Sequence, residues 1–598
     1  MVLSKSQFFC LGLVAVAYYY KITFSQNVED GPVVTTSLGK VKGATLYSRG
    51  GRKFHGFMKL PFAQPPTGNR RFEPPEPAER WEGIRDGREF GPRCLQLDSF
   101  MGVIQGEEDC LTINVFSPVV EARAISKPLP VIVYFHGGFF HNGGADFWKA
   151  NYFMDEDVIF VTLNFRLAAL GFLNTGDSAI RGNMGLKDQT MGLRWVQENI
   201  GYFGGDPNKV TLLGESAGAV CSHLHMFSSM SKGLFNNIIS QSGSALHFWA
   251  ILEEPKRQAE RFASSVGCPF NDTAEIKSCL KKLDPIQLIE GHREMMDPLR
   301  ESIAIFKPSV EVDIRDGNTF LAEKPTEMAK RGDFTKVPWV TGVNSEEGLV
   351  FSAAMLVNKT MQTVAQEDWG FFLDRTIWFP SEEETAEKVR HFYFGDDDSS
   401  LVPANVSSNT DLITKINMNP LERLDSYTNM ISDRGFFYDA HHGASMQSIH
   451  SPVYLYYYSY RGKWSVVNFF PEISGTFNRQ LEVTWSLLTT WVAANVFGRQ
   501  LPNYGASHSD ELSLLFYMPW VSEIYAESQD YDMSLDLVKL WADFADNDSH
   551  LKFRNVEWPV VNASHKEVPL QYMKIDSDPM VIDEPFTHRI QFWSSLLD

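Results

Sequence analysis

Residues 207–219 read Pro-Asn-Lys-Val-Thr-Leu-Leu-Gly-Glu-Ser-Ala-Gly-Ala, and no other stretch limits the fold of this chain as tightly. A β-branched and aliphatic run at 210–213 passes straight into Gly214-Glu215-Ser216-Ala217-Gly218, and a helix-prone stretch follows. That order is a buried parallel strand, a tight turn and a helix. In this setting G-x-S-x-G has a mechanical meaning. The serine stands at the tip of a sharp strand-to-helix turn, where Gly214 and Gly218 lack the Cβ atoms that would clash. The Ser216 hydroxyl is then expected to be exposed above the sheet edge, at the positive end of the helix. The pattern alone is weak; flanked by strand and helix it marks a nucleophile rather than a structural turn.

The rest of the chain supplies the matching architecture. Residues 111–116 and 129–135 are predicted strands, and 158–164 is nearly all apolar, as a parallel strand buried on both faces should be. Residues 187–200 form a predicted helix, with Leu193, Val196 and Ile200 on one face. Further strands are expected at 337–342 and 453–459, and an antiparallel edge hairpin at 32–43. The proline-rich stretch 54–81 reads as a long, ordered surface segment. Strands alternating with helices predict an α/β fold with a large, mostly parallel sheet covered on both sides. The polar, helix-prone region 350–450 reads as a helical cap excursion rather than a separate domain. No repeat or low-complexity tract interrupts the chain, so residues 26–598 are expected to be one domain.

Residues 1–25 have the build of a signal peptide. Lys5 gives a positive start, residues 8–20 an apolar segment too short to span a bilayer comfortably, and Thr23-Phe24-Ser25 a small-residue cleavage pattern. No later stretch reads as a membrane span, and the C-terminus carries neither a retention signal nor a lipid-anchor tail. The expected product is secreted, without a membrane anchor. Cysteine usage agrees. Cys10 leaves with the leader, and the spacings of Cys94 with Cys110 and of Cys268 with Cys279 suit local disulfides, each worth about 3 kcal/mol by loop entropy. Cys221 is left over and reads as a buried free thiol. Sequons at Asn271, Asn358, Asn405, Asn547 and Asn562 fit a glycoprotein. The formal charge of −20 has no basic cluster in it, which speaks against nucleic acid as a partner. Nothing in the sequence fixes an oligomeric state.

A serine hydroxyl needs a base to take its proton, and the base needs a carboxylate to fix its tautomer. After a nucleophile elbow the order is Ser, then Asp or Glu, then His. Gly342-Val-Asn-Ser-Glu346-Glu347-Gly348 follows a strand end, and Gly505-Ala-Ser-His508-Ser509-Asp510-Glu511-Leu512 precedes a helical run. Both are loop sites of the kind in which α/β sheets place catalytic groups. With 15 His and 74 acidic residues, composition leaves the choice open.

Ordered motifs narrow it. They include Glu107-Glu108-Asp109-Cys110-Leu111, Tyr134-Phe-His136-Gly137-Gly138, Asn164-Phe-Arg166-Leu, Gly182-Asn183-Met-Gly185-Leu-Lys-Asp188-Gln189, Phe203-Gly-Gly-Asp206-Pro207-Asn208, the elbow itself and Lys574-Ile575-Asp576. From near Gly31 almost to the end, the chain resembles a type-B carboxylesterase, the family that contains the cholinesterases, and most closely its insect carboxylesterase branch. The resemblance implies an α/β-hydrolase fold, Ser216 as nucleophile, Glu347 rather than Glu346 as the acid, and His508 as the base. It also implies an oxyanion hole from the N–H groups of Gly138, Phe139 and Ala217, and structural ion pairs for Arg166 and Asp206. No cofactor is implied.

Two positions depart from the family pattern: Phe139 stands where Gly or Ala is usual, and Ser509 where Gly usually follows the histidine. Neither removes an amide or a triad side chain. Glu215 is expected to tune the imidazolium, because a carboxylate beside the nucleophile is costly unless paired. His223 and His225 read as packing residues, and His441-His442 beside Asp439 as a solvated loop without a metal. The leading expectation is a serine carboxylic-ester hydrolase acting through an acyl-enzyme on small, neutral hydrophobic esters, with His508 titrating near about 6.5. Residues 95–109 contain no Trp to face a quaternary ammonium, which disfavours a cholinesterase. A non-catalytic adhesion member is disfavoured because the triad is intact and no span follows the leader. A juvenile-hormone-esterase-like activity stays open, although such enzymes usually carry Gln where this chain has Glu215.

Overall fold

The computed structural model describes residues 29–98, 101–119, 127–296, 305–357, 359–377, 379, 382–395, 421–469, 489–490, 494, 499–518, 523–546, 550–563 and 569–597. The leader at 1–25 and the sequons at Asn358, Asn405 and Asn547 lie outside them.

Among the described residues, thirteen strands form one sheet. In chain order the first are β1 (Glu29–Thr35), β2 (Lys40–Tyr47), β3 (Lys53–Pro61) and β4 (Ile84–Asp86). A short ribbon of β5 (Gln96–Asp98) and β6 (Val103–Gln105) stands apart. Next come β7 (Thr112–Ser117), β8 (Leu129–Phe135), β9 (Ile159–Leu163), β10 (Gly205–Glu215), β11 (Asn237–Gln241), β12 (Trp339–Asn344) and β13 (Val453–Tyr458). A second ribbon, β14 (Lys552–Phe553) with β15 (Val556–Glu557), precedes β16 (Gln571–Ile575) and β17 (Met580–Asp583). The order across the sheet is β1-β2-β3-β7-β9-β8-β10-β11-β12-β13-β16-β17, with β4 on β2. Pairing is parallel from β9 through β16, and the expected edge hairpin is the antiparallel pair β1–β2.

The central strands are covered on both faces, so their apolar side chains alternate between two cores. Along β8, Val131, Val133 and Phe135 enter one core cluster and Ile132 and Tyr134 the other. On β10 and β11, Leu212 and Ile238 face the first, Leu213 and Ile239 the second. Each such side chain contributes roughly 1.5–3 kcal/mol on burial. The chain passes from β8 to its neighbour β9, then crosses back to place β10 on the other side of β8. Strand order reverses there, and the carboxyl ends of β8 and β10 open a crevice of the kind that holds ligands in such sheets.

Two expectations need correction. Residues 54–81 are not all surface segment, since Lys53–Pro61 is the interior strand β3, paired with β2 and β7, with Phe54, Phe57 and Leu60 buried. The prolines begin at its last residue, so they end the strand instead of preventing it. His441 and His442 lie in the helix Tyr438–Ser448, not in a loop, and His441 Nδ1 meets the Tyr572 hydroxyl at 3.0 Å. Between β12 and β13 the described chain is helical, including Leu349–Val357, Trp369–Ile377, Glu383–Phe394 and Leu421–Ser432. A π-helical turn, Asp433–Phe437, joins the last of these to Tyr438–Ser448.

Candidate active site

β10 ends at Glu215 and the helix Ala217–Leu224 starts two residues later. Ser216 between them has φ 57° and ψ −125°, outside the ordinary strand and helix regions. Close approach explains both glycines: a Cβ on Gly214 would fall 2.2 Å from Gly218 O, and one on Gly218 would fall 2.0 Å from Phe135 O. The turn is held by Ser216 N–H donating to Gln241 O at 2.8 Å. Ser216 is not exposed as expected; only 6% of it is accessible. Aromatic side chains from distant segments roof it over.

Glu347 lies three residues past the end of β12 and is fully buried. Its Oε1 accepts from Asn344 N–H at 2.8 Å, and its Oε2 lies 2.6 Å from His508 Nδ1. A parallel bridge between Glu346 and Ser507 brings the two loops into register. Glu346, the rejected alternative, does not share in this contact. The other ring nitrogen, His508 Nε2, is 3.2 Å from Glu215 Oε1. That oxygen also accepts from Ser509 Oγ at 2.5 Å. The imidazole therefore sits between two carboxylates. Burial pushes His508 down, but the charges of Glu215 and Glu347 outweigh it and raise it to about 9. The expected titration near 6.5 is thus replaced by an alkaline one. Glu215 is itself raised, chiefly by burial, and Glu511 goes up to about 8 from burial and the Glu215 charge. Glu511 accepts from Gln241 Nε2 at 3.1 Å and Asn344 Nδ2 at 2.6 Å, forming a polar floor under the site.

The loop leaving β8 carries Gly138, Phe139 and Phe140 in succession at φ 110°, 55° and 63°. Three left-handed residues fold the backbone over, and His141 and Asn142 N–H close it by donating to Gly138 O. Among the described residues, no acceptor meets the N–H groups of Gly138, Phe139 or Ala217. Phe139, Ser216 and His508 line one recess with Trp249, Phe351 and Phe436. Phe436 lies 4.9 Å from His508 ring to ring, and Phe351 packs edge-on against Phe139 at 6.1 Å. A second cleft reaches Ser509 from the other side, between the Cys94–Cys110 loop and Trp148 and Trp464.

Sequence reasoning missed Trp249, Phe351, Phe436 and Glu511. For Glu511 a signal existed, a carboxylate three residues past the histidine at the start of an apolar helix; for the aromatics none did. The remaining candidates fall as follows. Cys94–Cys110 and Cys268–Cys279 are disulfides, and Cys221 is a buried free thiol. Asn271 and Asn562 are exposed. His223 and His225 are buried, with Nδ1 of His223 accepting from Ala245 N–H and Nδ1 of His225 on Ser231 Oγ. Arg166 forms a buried, two-pronged ion pair with Asp188 at 2.7 and 2.8 Å. Among the described residues Asp206 makes no such pair; its carboxylate caps the following turn by accepting from Asn208 N–H. Among the described residues, no group of three or more His, Cys, Asp or Glu is arranged to hold a metal ion. Nor is any helix among them long and apolar enough to cross a membrane.

A parallel sheet with an elbow at its central strand, and later loops converging on that elbow, defines the α/β-hydrolase class. The carboxylesterase family model matches residues 30–593, and the chain belongs to that family. It is a carboxylic-ester hydrolase. A carboxylic ester hydrolase of Bombus ignitus is 34% identical, covering 98% of each chain. The juvenile hormone esterase of Tribolium castaneum is 32% identical over 90% of this chain and 87% of its own. In fold, the crystal structure of juvenile hormone esterase from Manduca sexta, with OTFP covalently attached, superposes with a TM-score of 0.77. That likeness spans 95% of this chain and 99% of the other at 24% identity.

Proposed function

We propose that this is a secreted serine esterase that acts through an acyl-enzyme on neutral, hydrophobic esters, with Ser216, Glu347 and His508 as its triad. The observation that carries the reading is the convergence of His508 and Ser216 on one aromatic recess, with Glu347 on the far nitrogen of the ring. Ser216 Oγ attacks the ester carbonyl while His508 Nε2, turned from Glu215 toward it, takes the hydroxyl proton. The carbonyl oxygen becomes an alkoxide, received by the N–H groups of Gly138, Phe139 and Ala217, which are worth roughly 2.7–4 kcal/mol each. Collapse expels the alcohol, which receives the proton from His508. Water then repeats the sequence, releasing the acid and free Ser216. Glu347 holds the ring and answers its charge.

The apolar lining, with Trp249, Phe351, Ile377, Ile431 and Phe436, supports hydrophobic substrates. Secretion, and a single domain from residue 26, rest on the leader pattern, with two disulfides and two exposed sequons in support. A juvenile-hormone-esterase-like substrate is the second reading, favoured by the Tribolium relative. The test is active-site labelling. An organophosphate should modify one residue per chain, Ser216, and Ser216→Ala should lose both the label and nearly all turnover of phenyl acetate. Undiminished hydrolysis by the alanine variant would refute the assignment. Phenyl acetate should outrun acetylcholine, and a long-chain methyl ester preferred over both would select the second reading.

A further inference from the structure

Residue 509 has φ 69°, a conformation most comfortable for glycine, yet it carries a serine. Its hydroxyl donates to Glu215 Oε1 at 2.5 Å, the same oxygen that lies 3.2 Å from His508 Nε2. One carboxylate oxygen thus serves two partners, a ring that titrates and a hydroxyl that does not. We propose that Ser509 is a positioning residue that limits how tightly the Glu215–His508 pair holds a proton, by giving Glu215 a donor of its own. The inference rests on the reading of His508 as the base.

The argument compares two states of the pair. With a proton on it, the Glu215 charge is already answered by the imidazolium, and the hydroxyl adds little. With the proton gone, Glu215 is a buried anion facing other acids, and the hydroxyl bond to it becomes charge-assisted and strong. A donor that stabilises the proton-free state more than the protonated one lowers the proton affinity of the pair, whichever member carries the proton. The surroundings push the opposite way. Glu347 faces the ring from beyond β12, and Asp510 and Glu511 lie on its own loop. Tyr134 of β8 and Tyr456 of β13 feel the same acids, and His247 lies within the field of Glu347. Asp510 is held by the N–H groups of Ser507 and Val466 and faces Arg461. Among the described residues, Glu215 and Glu347 pair with no Lys or Arg, only with His508. In that acidic setting the Ser509 hydroxyl opposes a proton that would disable the base.

The experiment compares wild type, Ser509→Ala and Ser509→Gly by two titrations. One is the pH profile of kcat/KM on a neutral phenyl ester. The other is the low-field Nδ1–H proton resonance of His508, which reads protonation without turnover. In both variants the midpoint should move about one pH unit toward alkali by each method, a tenfold loss of rate at a fixed pH on the acid limb. The alkaline plateau should be retained. In a Glu215→Gln background, Ser509→Ala should no longer move the resonance. An unmoved midpoint, a shift seen in the glycine variant alone, or an equal shift in the Gln background overturns the proposal. If wild type shows the titrating resonance but no ester hydrolysis, the esterase reading fails, while the resonance still decides the role of Ser509.

Discussion

Phe139 holds its backbone at φ 55°, a region that costs a non-glycine residue about 1–2 kcal/mol. The benzyl group lies in the recess beside Ser216, against Phe351 and His141. A side chain there takes up acyl space without removing the amide. Phe139→Gly should therefore raise kcat/KM for benzoate esters more than for acetates of the same phenol. A uniform gain would mean instead that the phenylalanine misaims its amide, a fault costing about 10²–10³ in kcat. His508 makes a separate prediction. Only its neutral form accepts a proton, and its titration is raised to about 9, so activity should fall as pH drops through a midpoint well above the ordinary 6.5. A pH series of kcat/KM checks this, and a midpoint at or below 6.5 would mean that Glu215 does not face the ring in the free enzyme. The sequence shows a glutamate next to the serine, but not that its carboxylate reaches the histidine. That contact needs the loops after β10 and β12 and the one around 508 to meet.

At the scale of elements, the legible pieces are those whose period and punctuation agree. β10 and the helix after it stand out because an aliphatic run meets a glycine pair with no room for side chains. β3 was hidden by the prolines that end it, and the helix at 438–448 by its many polar residues, which leave no clear apolar stripe. The recess was hidden for a different reason. Trp249, Phe351 and Phe436 come from three separate segments, and Phe436 is aimed by the π-helical turn, where an extra residue shifts the helix face. The Arg166–Asp188 pair ties the chain after β9 to the helix Met184–Asn199, with 3% of the arginine and none of the aspartate exposed. Asp188→Ala would strand a buried guanidinium and should destabilise the fold by about 3–5 kcal/mol, read by urea unfolding. Replacing both partners with apolar residues of similar volume should cost much less.

For the molecule as a whole, the parallel sheet was legible because local patterns carry it, whereas the choice of Glu347 and His508 as candidates came from the family resemblance. The field around the imidazole was not, since it sums charges brought together only by folding. The triad candidates stand at 216, 347 and 508, so the elbow and the proposed oxyanion loop leave the ribosome long before the proposed base does. A nascent chain can complete β8, β9 and β10 and still have nothing to deprotonate the serine. The parallel bridge between residues 346 and 507 is the contact that ends this wait, because it joins the loop of the proposed acid to that of the proposed base. Ester turnover by a growing or refolding chain therefore dates the arrival of its last fifth. It makes the molecule a built-in clock for its own folding.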